Sequence, residues 1–430
     1  MKQPSAIMPL SSLTGAQLEA HQQYNRILDD KGRYLPFDEF RHRVKRGDDP
    51  ELAWTLTRHA RSASLQFINY HNELGERAGF NITPLVSETC ELVDKHATQT
   101  ALREYLQQLP AGGAELSQLQ LDESITSSQL EGANTTTLVA RNMLETGRKP
   151  RTEDEHMIAG NARLMTAIPE HLAEPLSIEL LRHFHAAGMS GINDAKYHPG
   201  NFRETDDVVI ADYDGNIVHQ PPVAASIPDR LQAVCDFAND LTGQYIHPLI
   251  RACLLHFMLA HEHPFRDGNG RTSRALFYWY MLKHGYDAFR YVSISQPLHA
   301  APVKYAHSYQ HTEHDGMDVT YFLEHQASIL KRAVTKYLDF IHETIHRRAA
   351  VDHLLAGSGA LSRLLPRQIA LLNIMLAEPQ KHFTAAEVSQ IMGISDGTAR
   401  SALRVLVREG LAMEIQVNNQ QTAYTAVKLR

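Results

Sequence analysis

Cysteine is scarce in this chain: Cys90, Cys235 and Cys253 are the only three in 430 residues, and they stand far apart. That excludes a disulfide scaffold and suits a reducing compartment. Long apolar runs are missing too. No stretch of about 18 apolar residues occurs, and the N-terminus has no apolar signal region, so no membrane partner is expected and the expected place is the cytoplasm. Positive charge is not in excess: 42 Lys and Arg face 49 Asp and Glu, a net charge of −7. That argues against a generally basic nucleic-acid coat but leaves room for a local basic patch. What remains, 43% apolar and 21% charged, is a globular composition, and 430 residues exceed one ordinary core, so two or three domains are expected. The 25 histidines are more than usual. The spacing of His256, His261 and His263 follows no standard zinc pattern, and most of the histidines read as surface or packing residues.

The most informative stretch is His263-Pro264-Phe265-Arg266-Asp267-Gly268-Asn269-Gly270-Arg271-Thr272-Ser273-Arg274. Upstream, Ile246, Leu249, Ile250, Cys253, Leu254, Phe257 and Met258 recur at helical spacing, and that apolar stripe predicts a helix ending near His263. Downstream, Ala275, Leu276, Trp279, Met281 and Leu282 continue helically to a stop at Gly285. The motif is therefore a loop between two helices. Gly268 and Gly270 allow backbone N–H groups to line a concavity at a helix N-terminus, a cradle for phosphate. Arg271 and Arg274 lie three apart on one helix face, where each guanidinium can grip phosphate oxygens. Asp267 offers a hard oxygen for Mg²⁺, and His263 is the group able to take a proton from a hydroxyl near neutral pH. Singly, Gly-Asn-Gly is a turn and a histidine packs; in combination the parts describe phosphoryl or nucleotidyl transfer.

These residues, in this order, resemble the complete signature of the Fic family, His-x-Phe-x-Asp/Glu-Gly-Asn-Gly-Arg-x-x-Arg. The resemblance implies His263 as general base toward a Ser, Thr or Tyr hydroxyl of a target protein and Asp267 as the Mg²⁺ ligand. It further implies phosphate binding by Asn269 and Arg271, an anion hole at Gly268 and Gly270, and a γ-phosphate grip by Arg274. Phe265 is expected to point into the core. The implied reaction moves AMP from ATP to the hydroxyl and releases pyrophosphate.

Residues 1 to about 35 have no clear period and read as an arm or short leading helices. From Phe37 to Gly79 the pattern reads as helical, with Pro50 a helix start. A further amphipathic stretch, Leu102, Leu106 and Leu109, precedes the linker Pro110-Ala111-Gly112-Gly113. Residues 122–132 read alone as a short polar helix with Gly132 as its stop. Beside the family signature, Ser127-x-x-x-Glu131-Gly132 resembles the inhibitory motif of the N-terminally inhibited class. There Glu131 is expected to pair with Arg274 through a bidentate contact and block the γ-phosphate.

Leu176 to Ala186 reads as a helix leading to Tyr197-His198-Pro199-Gly200-Asn201-Phe202-Arg203, similar to a turn of the family. Val208-Val209-Ile210-Ala211 and Asn216-Ile217-Val218-His219 flank Asp212-Tyr213-Asp214-Gly215, a hairpin pattern. The resemblance makes it the flap that positions a target by strand addition, with Val208, Val209, Ile210 and Ala211 bordering the nucleotide. It likewise places Tyr305 beside the adenine; the family often has two adjacent aromatics there, and this chain has Ala306 second.

A long helix is expected from about Thr320 to Arg348. Beyond it, Leu361–Leu376, a segment opening at Thr384, and a segment from Ser395 to Gly410 read as three helices. The runs Ala412–Val417 and Thr422–Val427, joined at Asn418-Asn419, read as strands. This is a winged helix-turn-helix pattern, and Arg400, Arg404 and Arg408 recur along its third helix as a DNA-contacting face requires. The expected architecture is mainly α: an N-terminal helical region over 1–115, a Fic-type domain with a small hairpin flap over 116–348, and a winged helix-turn-helix domain over 349–430. Two function classes stand. One is a Mg²⁺- and ATP-dependent protein adenylyltransferase inhibited by Glu131. The other is a DNA-binding regulator that uses the Fic domain as nucleotide sensor. Within the enzyme class AMP removal is an alternative, and a homodimer is an open oligomeric state.

Overall fold

The structure, a computed structural model, describes residues 2, 7–109, 116–192, 198–211, 215–241, 243–357, 363–377, 381–418 and 421–427. Helices dominate it, and the contacts divide the chain into residues 1–102 with 115–336 and residues 103–114 with 337–430.

In the first unit, α1 (Gly15–His21) starts in a capping box between Thr14 and Gln17. After α2 (Phe37–Phe40), Asp49 caps and Pro50 opens α3 (Pro50–Ser62). Tyr24, Leu35, Phe37, Phe40 and Trp54 pack together beneath these short helices. The stretch that reads as helical to Gly79 is helical only to Ser62. Residues beyond it form an antiparallel hairpin, β1 (Gln66–His71) and β2 (Arg77–Phe80), with Gln66 opposite Phe80. The cause is a period of two: Ile68 and Tyr70 turn inward while Phe67, Asn69 and His71 face out. Then follow α4 (Pro84–His96), α5 (Gln99–Gln108), α6 (Ser117–Leu130), α7 (Thr137–Thr146), α8 (Glu153–Ala167) and α9 (Ile178–Met189).

A second hairpin, β3 (Ile210–Ala211) and β4 (Ile217–His219), pairs Ile210 with His219. It is shorter than the pattern suggests: Val208, Val209 and Asn216 lie outside its strands. Next come α10 (Ile227–Ala238), α11 (Pro248–Glu262), α12 (Asn269–Lys283), α13 (Ser295–His299), α14 (Pro302–His314) and α15 (Thr320–Gly357). The core is built on α11. Every residue from Leu249 to Leu259 is buried, so this helix is enclosed on all sides instead of showing one apolar stripe. It packs on α12 and α10, and α12 packs in turn on α9 and α8.

The expected end of the long helix at Arg348 is too early, since α15 continues to Gly357, and the division between the units falls inside it, at 336/337. In the second unit α16 (Pro366–Ala377) begins at a proline, where φ is already helical. Thr384 caps α17 (Ala385–Met392), Gly393 ends it in the left-handed conformation, and Ser395 caps α18 (Asp396–Arg408). The hairpin β5 (Ala412–Asn418) and β6 (Gln421–Ala426) follows, and Leu371, Leu372, Phe383, Val388, Leu403, Leu406 and Tyr424 form the core of this unit. Pro110–Gly113, Tyr197, Asp212–Asp214, Leu361 and Asn419 lie outside the described residues. Among the described residues no helix is long and apolar enough to cross a membrane.

Candidate active site

The loop between α11 and α12 takes its shape from two left-handed residues. His263 ends α11 at φ 46, ψ 54, and Gly268 opens α12 at φ 76. A Cβ at Gly268 would stand 2.8 Å from Met189 Sδ, so glycine there answers both the backbone angle and the close approach of α9. Asn269 locks the turn: its Oδ1 accepts from Phe265 N at 2.9 Å and its Nδ2 donates to Phe265 O at 2.8 Å. Phe265 is fully buried and stacks on His185 with ring centroids 3.7 Å apart.

Two residues that the sequence reading gave no role hold the loop from outside. His185 on α9 donates from Nε2 to Asp267 O at 2.9 Å and accepts at Nδ1 from Gly200 N at 2.9 Å. Burial pushes its imidazole down to about 4, so it stays neutral and keeps that tautomer. Arg203 donates from Nε to His263 O at 3.1 Å and from Nη2 to Pro222 O, and its own N–H meets Pro264 O at 2.9 Å. The turn and the segment after the β3–β4 hairpin are thus both fastened to the motif backbone. Only the family-like turn containing Arg203 hinted at this in sequence; nothing in the pattern of α9 marks His185.

The His263 imidazole is pushed down to about 4, chiefly by burial and next by the nearby His219, and its Nδ1 lies 3.4 Å from Ala260 O. It is neutral at pH 7, and with Nδ1–H toward that carbonyl its Nε2 carries the lone pair, the state a general base needs. Asp267 keeps a carboxylate 38% exposed, with Arg271 Nη2 at 3.4 Å. A partly exposed hard oxygen beside a phosphate-type cradle fits Mg²⁺, which takes one or two protein carboxylates with phosphates and water. The Arg271 guanidinium is buried against Met189 Sδ at 2.9 Å and Gly188 O at 3.4 Å.

Arg274 is the convergence point. Its side chain is 1% exposed; Nε donates to Ser127 Oγ at 2.9 Å, Nη2 donates to Ser127 O at 3.0 Å, and Nη1 lies 2.9 Å from Glu131 Oε1. The expected bidentate Arg–carboxylate contact is replaced by a single one, off the hydrogen-bond axis, because Ser127 takes the other two nitrogens. The same carboxylate covers the helix N-terminus: a Cβ at Gly270 would lie 2.1 Å from Glu131 Oε1. Glu131 therefore sits where an anion is most favoured, over the first turn of α12. Gly132 follows at φ 98 and terminates the segment.

Helix α6 behind Glu131 is docked by buried polar groups. Glu123 accepts from Ser293 Oγ at 2.8 Å, Ser295 N at 3.0 Å and Ser295 Oγ at 2.5 Å; Asn161 Nδ2 donates to Ser124 O at 3.0 Å. Tyr305 on α14 shares hydrogen bonds with His256 Nε2 at 2.8 Å and Tyr309 Oη at 3.0 Å, beside the charges of Arg274 and Glu131. Of the flap residues, Ile210 and Ala211 stand in β3, and Asp207, ahead of Val208 and Val209, holds Arg266 of the motif at 2.8 Å. Arg400, Arg404 and Arg408 are exposed along α18 in the second unit; Arg400 pairs with Asp396 at 3.1 Å and Arg408 Nε lies 3.7 Å from Glu409.

A buried histidine, a glycine-lined helix head and a buried arginine, brought together by the α11–α12 loop and the start of α12, form an arrangement that can hold a polyanion. Residues 175–281 match the model of the Fic/DOC family, and the chain carries a Fic domain. Two curated relatives are named protein adenylyltransferase Fic. That of Drosophila grimshawi is 32% identical over 162 residues, 36% of this chain and 32% of the relative; that of Drosophila willistoni is 31% identical over 162 residues, 36% of this chain and 31% of the relative. The matches thus span about a third of the curated relatives' length. A Fic family protein of Desulfovibrio desulfuricans G20, solved by crystallography, superposes with a TM-score of 0.53 at 18% identity over 81% of this chain and 97% of that one, a likeness of fold.

Proposed function

We propose that this chain is a protein adenylyltransferase held down by Glu131. The observation that carries the reading is the position of the Glu131 carboxylate, over Gly270 at the head of α12 and 2.9 Å from Arg274 Nη1, in the space the arrangement offers to phosphate. In the proposed reaction ATP lies along the N-terminus of α12, with backbone N–H groups and Arg271 on its phosphates and Arg274 on the γ-phosphate. Val208 to Ala211 border the nucleotide, Tyr305 lies by the base, and β3 offers a strand edge to the target segment. His263 Nε2 takes the proton of a Ser, Thr or Tyr hydroxyl as its oxygen bonds to the α-phosphorus. The bond to the bridging oxygen breaks and pyrophosphate leaves. Mg²⁺ on Asp267, when bound, offsets phosphate charge. While Glu131 occupies the cradle and Arg274, the γ-phosphate lacks its grip and the α-phosphorus is not in line. Removal of AMP, with Glu131 orienting a water, is the other reaction the same parts support.

The test is mass spectrometry of the full chain after incubation with ATP and Mg²⁺, comparing wild type, Glu131→Gly and Glu131→Gly with His263→Ala. The expected result is an AMP mass gain on the chain or an added target in Glu131→Gly alone, at least about tenfold above wild type. Equal labelling in all three sinks the base assignment and the inhibition together.

A second reading concerns the C-terminal unit. The order α16, α17, α18, β5, β6, with Gly393 as a tight turn and an exposed Arg400–Arg404–Arg408 row, supports a winged helix-turn-helix that binds duplex DNA. Arg400→Ala with Arg404→Ala is then expected to weaken duplex binding by the full chain and to flatten its salt dependence by about two counterions. No duplex binding by wild type at low salt removes this reading.

A further inference from the structure

Away from the phosphate cradle, three side chains from three elements converge: His219 on β4, His261 on α11 and Glu313 on α14. Their ligand-type atoms all lie within 4.8 Å of one another. His219 Nδ1 is 2.8 Å and His261 Nε2 is 3.8 Å from Glu313 Oε1. The hydrogen bonds around the cluster decide where the protons are. His219 Nε2 lies 2.8 Å from the backbone carbonyl of His261, a group that only accepts, so Nε2 carries a proton and a neutral ring presents a lone pair at Nδ1. His261 Nδ1 lies 2.8 Å from Tyr70 Oη, and the single Tyr70 proton is donated to Glu262 Oε1. Tyr70 therefore accepts from Nδ1–H, which leaves the lone pair of His261 on Nε2, facing Glu313. His219 Nδ1, 2.8 Å from Glu313, needs a proton or a metal ion between itself and the carboxylate, and the lone pair of His261 Nε2 aims at the same point.

We propose that His219, His261 and Glu313 bind a divalent transition metal ion of the zinc type. Two imidazoles and one carboxylate with a fourth position left over are a donor set that zinc accepts. Metal–ligand bonds of about 2.0–2.2 Å in a tetrahedron put ligand atoms about 3.3–3.6 Å apart, so the 2.8 Å edge opens, the 3.8 Å edge closes slightly, and the two imidazole nitrogens, within 4.8 Å of each other, close to the same separation. Both histidines already have the support that metal-bound imidazoles require: His219 through a backbone carbonyl, and His261 through Tyr70, Glu262 and Arg230, whose Nε meets Glu262 Oε2 at 2.6 Å. His261 is 4% exposed and Glu313 22%, which gives a dry centre with one accessible side. A proton on His219 Nδ1, paired with Glu313, is the competing occupant; it satisfies one edge and leaves His261 Nε2 set against a carboxylate oxygen. The ion closes a clasp: it joins the second strand of the flap hairpin to the helix that ends in His263 and to the helix that carries Tyr305. This site shares no residue with the Asp267 position and stands whether or not AMP is transferred.

The test uses the full chain, stripped with a chelator, reloaded with Zn²⁺ and desalted, with metal measured by inductively coupled plasma mass spectrometry and a parallel loading with Co²⁺. One zinc per chain and the intense visible absorption of tetrahedral cobalt are expected, both lost in His219→Ala and Glu313→Gln and both kept in Asp267→Ala. Glu313→Gln preserves size and shape, so loss there is not a folding defect. Tyr70→Phe, which removes the hydrogen-bond acceptor of His261, is expected to weaken zinc affinity about 10- to 100-fold. Less than half an equivalent in wild type, or equal retention in wild type, His219→Ala and Glu313→Gln, overturns the proposal.

Discussion

Gly270 and Glu131 are coupled through space. A methyl group at residue 270 meets the flexible end of Glu131 at 2.1 Å, so Gly270→Ala displaces that carboxylate from the helix head and from Arg274. With Glu131 intact the substitution is expected to cost about 1–3 kcal/mol of stability. In the Glu131→Gly background it should be neutral or gain up to about 1 kcal/mol, since alanine is the better helix former. Urea unfolding of the four proteins gives the coupling; strictly additive values mean that the carboxylate does not rest over Gly270. The motif residues were readable in sequence because their chemistry is carried by a contiguous string with fixed spacing. The grip of Ser127 on two nitrogens of Arg274 was not, because it depends on how α6 is rotated, and Asn269 illustrates a further limit: its amide clasps Phe265 on both sides, a loop geometry that residue type alone does not reveal.

Helix α6 is anchored along its length by buried polar contacts to α8, α12 and α13, and by Glu123 most of all. Exchanging Glu131 for Gly leaves those contacts in place. Hydrogen exchange of the α6 amides is therefore expected to stay slow in Glu131→Gly, and to quicken in Glu123→Ala, where Ser293 and Ser295 lose a buried acceptor at about 1–3 kcal/mol. Fast exchange across α6 in Glu131→Gly alone would mean that the carboxylate, not Glu123, holds the helix. At this scale α11, α12, α17 and α18 were legible, because long apolar periods and capping residues such as Thr384 and Ser395 mark them. The β1–β2 hairpin was not: its inward residues Ile68 and Tyr70 follow a helical stretch without a proline break, and only four residues make β2. The β3–β4 hairpin was visible but overextended, since the apolar run Val208–Ala211 continues beyond the residues that find a partner strand.

Across the first unit, burial sets the acid response. His185, His263, His311 and His325 are each pushed down to about 4, and His256 and His261 are also held well below the ordinary range, all chiefly by burial. Unfolding returns these rings to about 6.5, so the unfolded chain binds more protons in between. Their contribution to stability is complete above pH about 6.5 and is lost as pH falls toward 4. Asp315, pushed up to about 6 by burial, opposes this between pH 6 and 3.8; Glu324, also raised by burial, and His219, which burial lowers but its hydrogen bond to Glu313 raises overall, oppose it too, and the six lowered rings outnumber these three groups. Calorimetry from pH 7.5 to 4.5 is expected to show a steadily falling midpoint for the transition of this unit; a flat midpoint contradicts the buried neutral histidines. The placing of Glu131 has a last consequence. A carboxylate carried by the same polypeptide as the guanidinium it faces has an effective concentration fixed by the fold, so its occupancy is indifferent to dilution. Changing how much protein is present leaves that contact as it was, and only a competitor for the helix head or a shift of the final turn of α6 can vacate it.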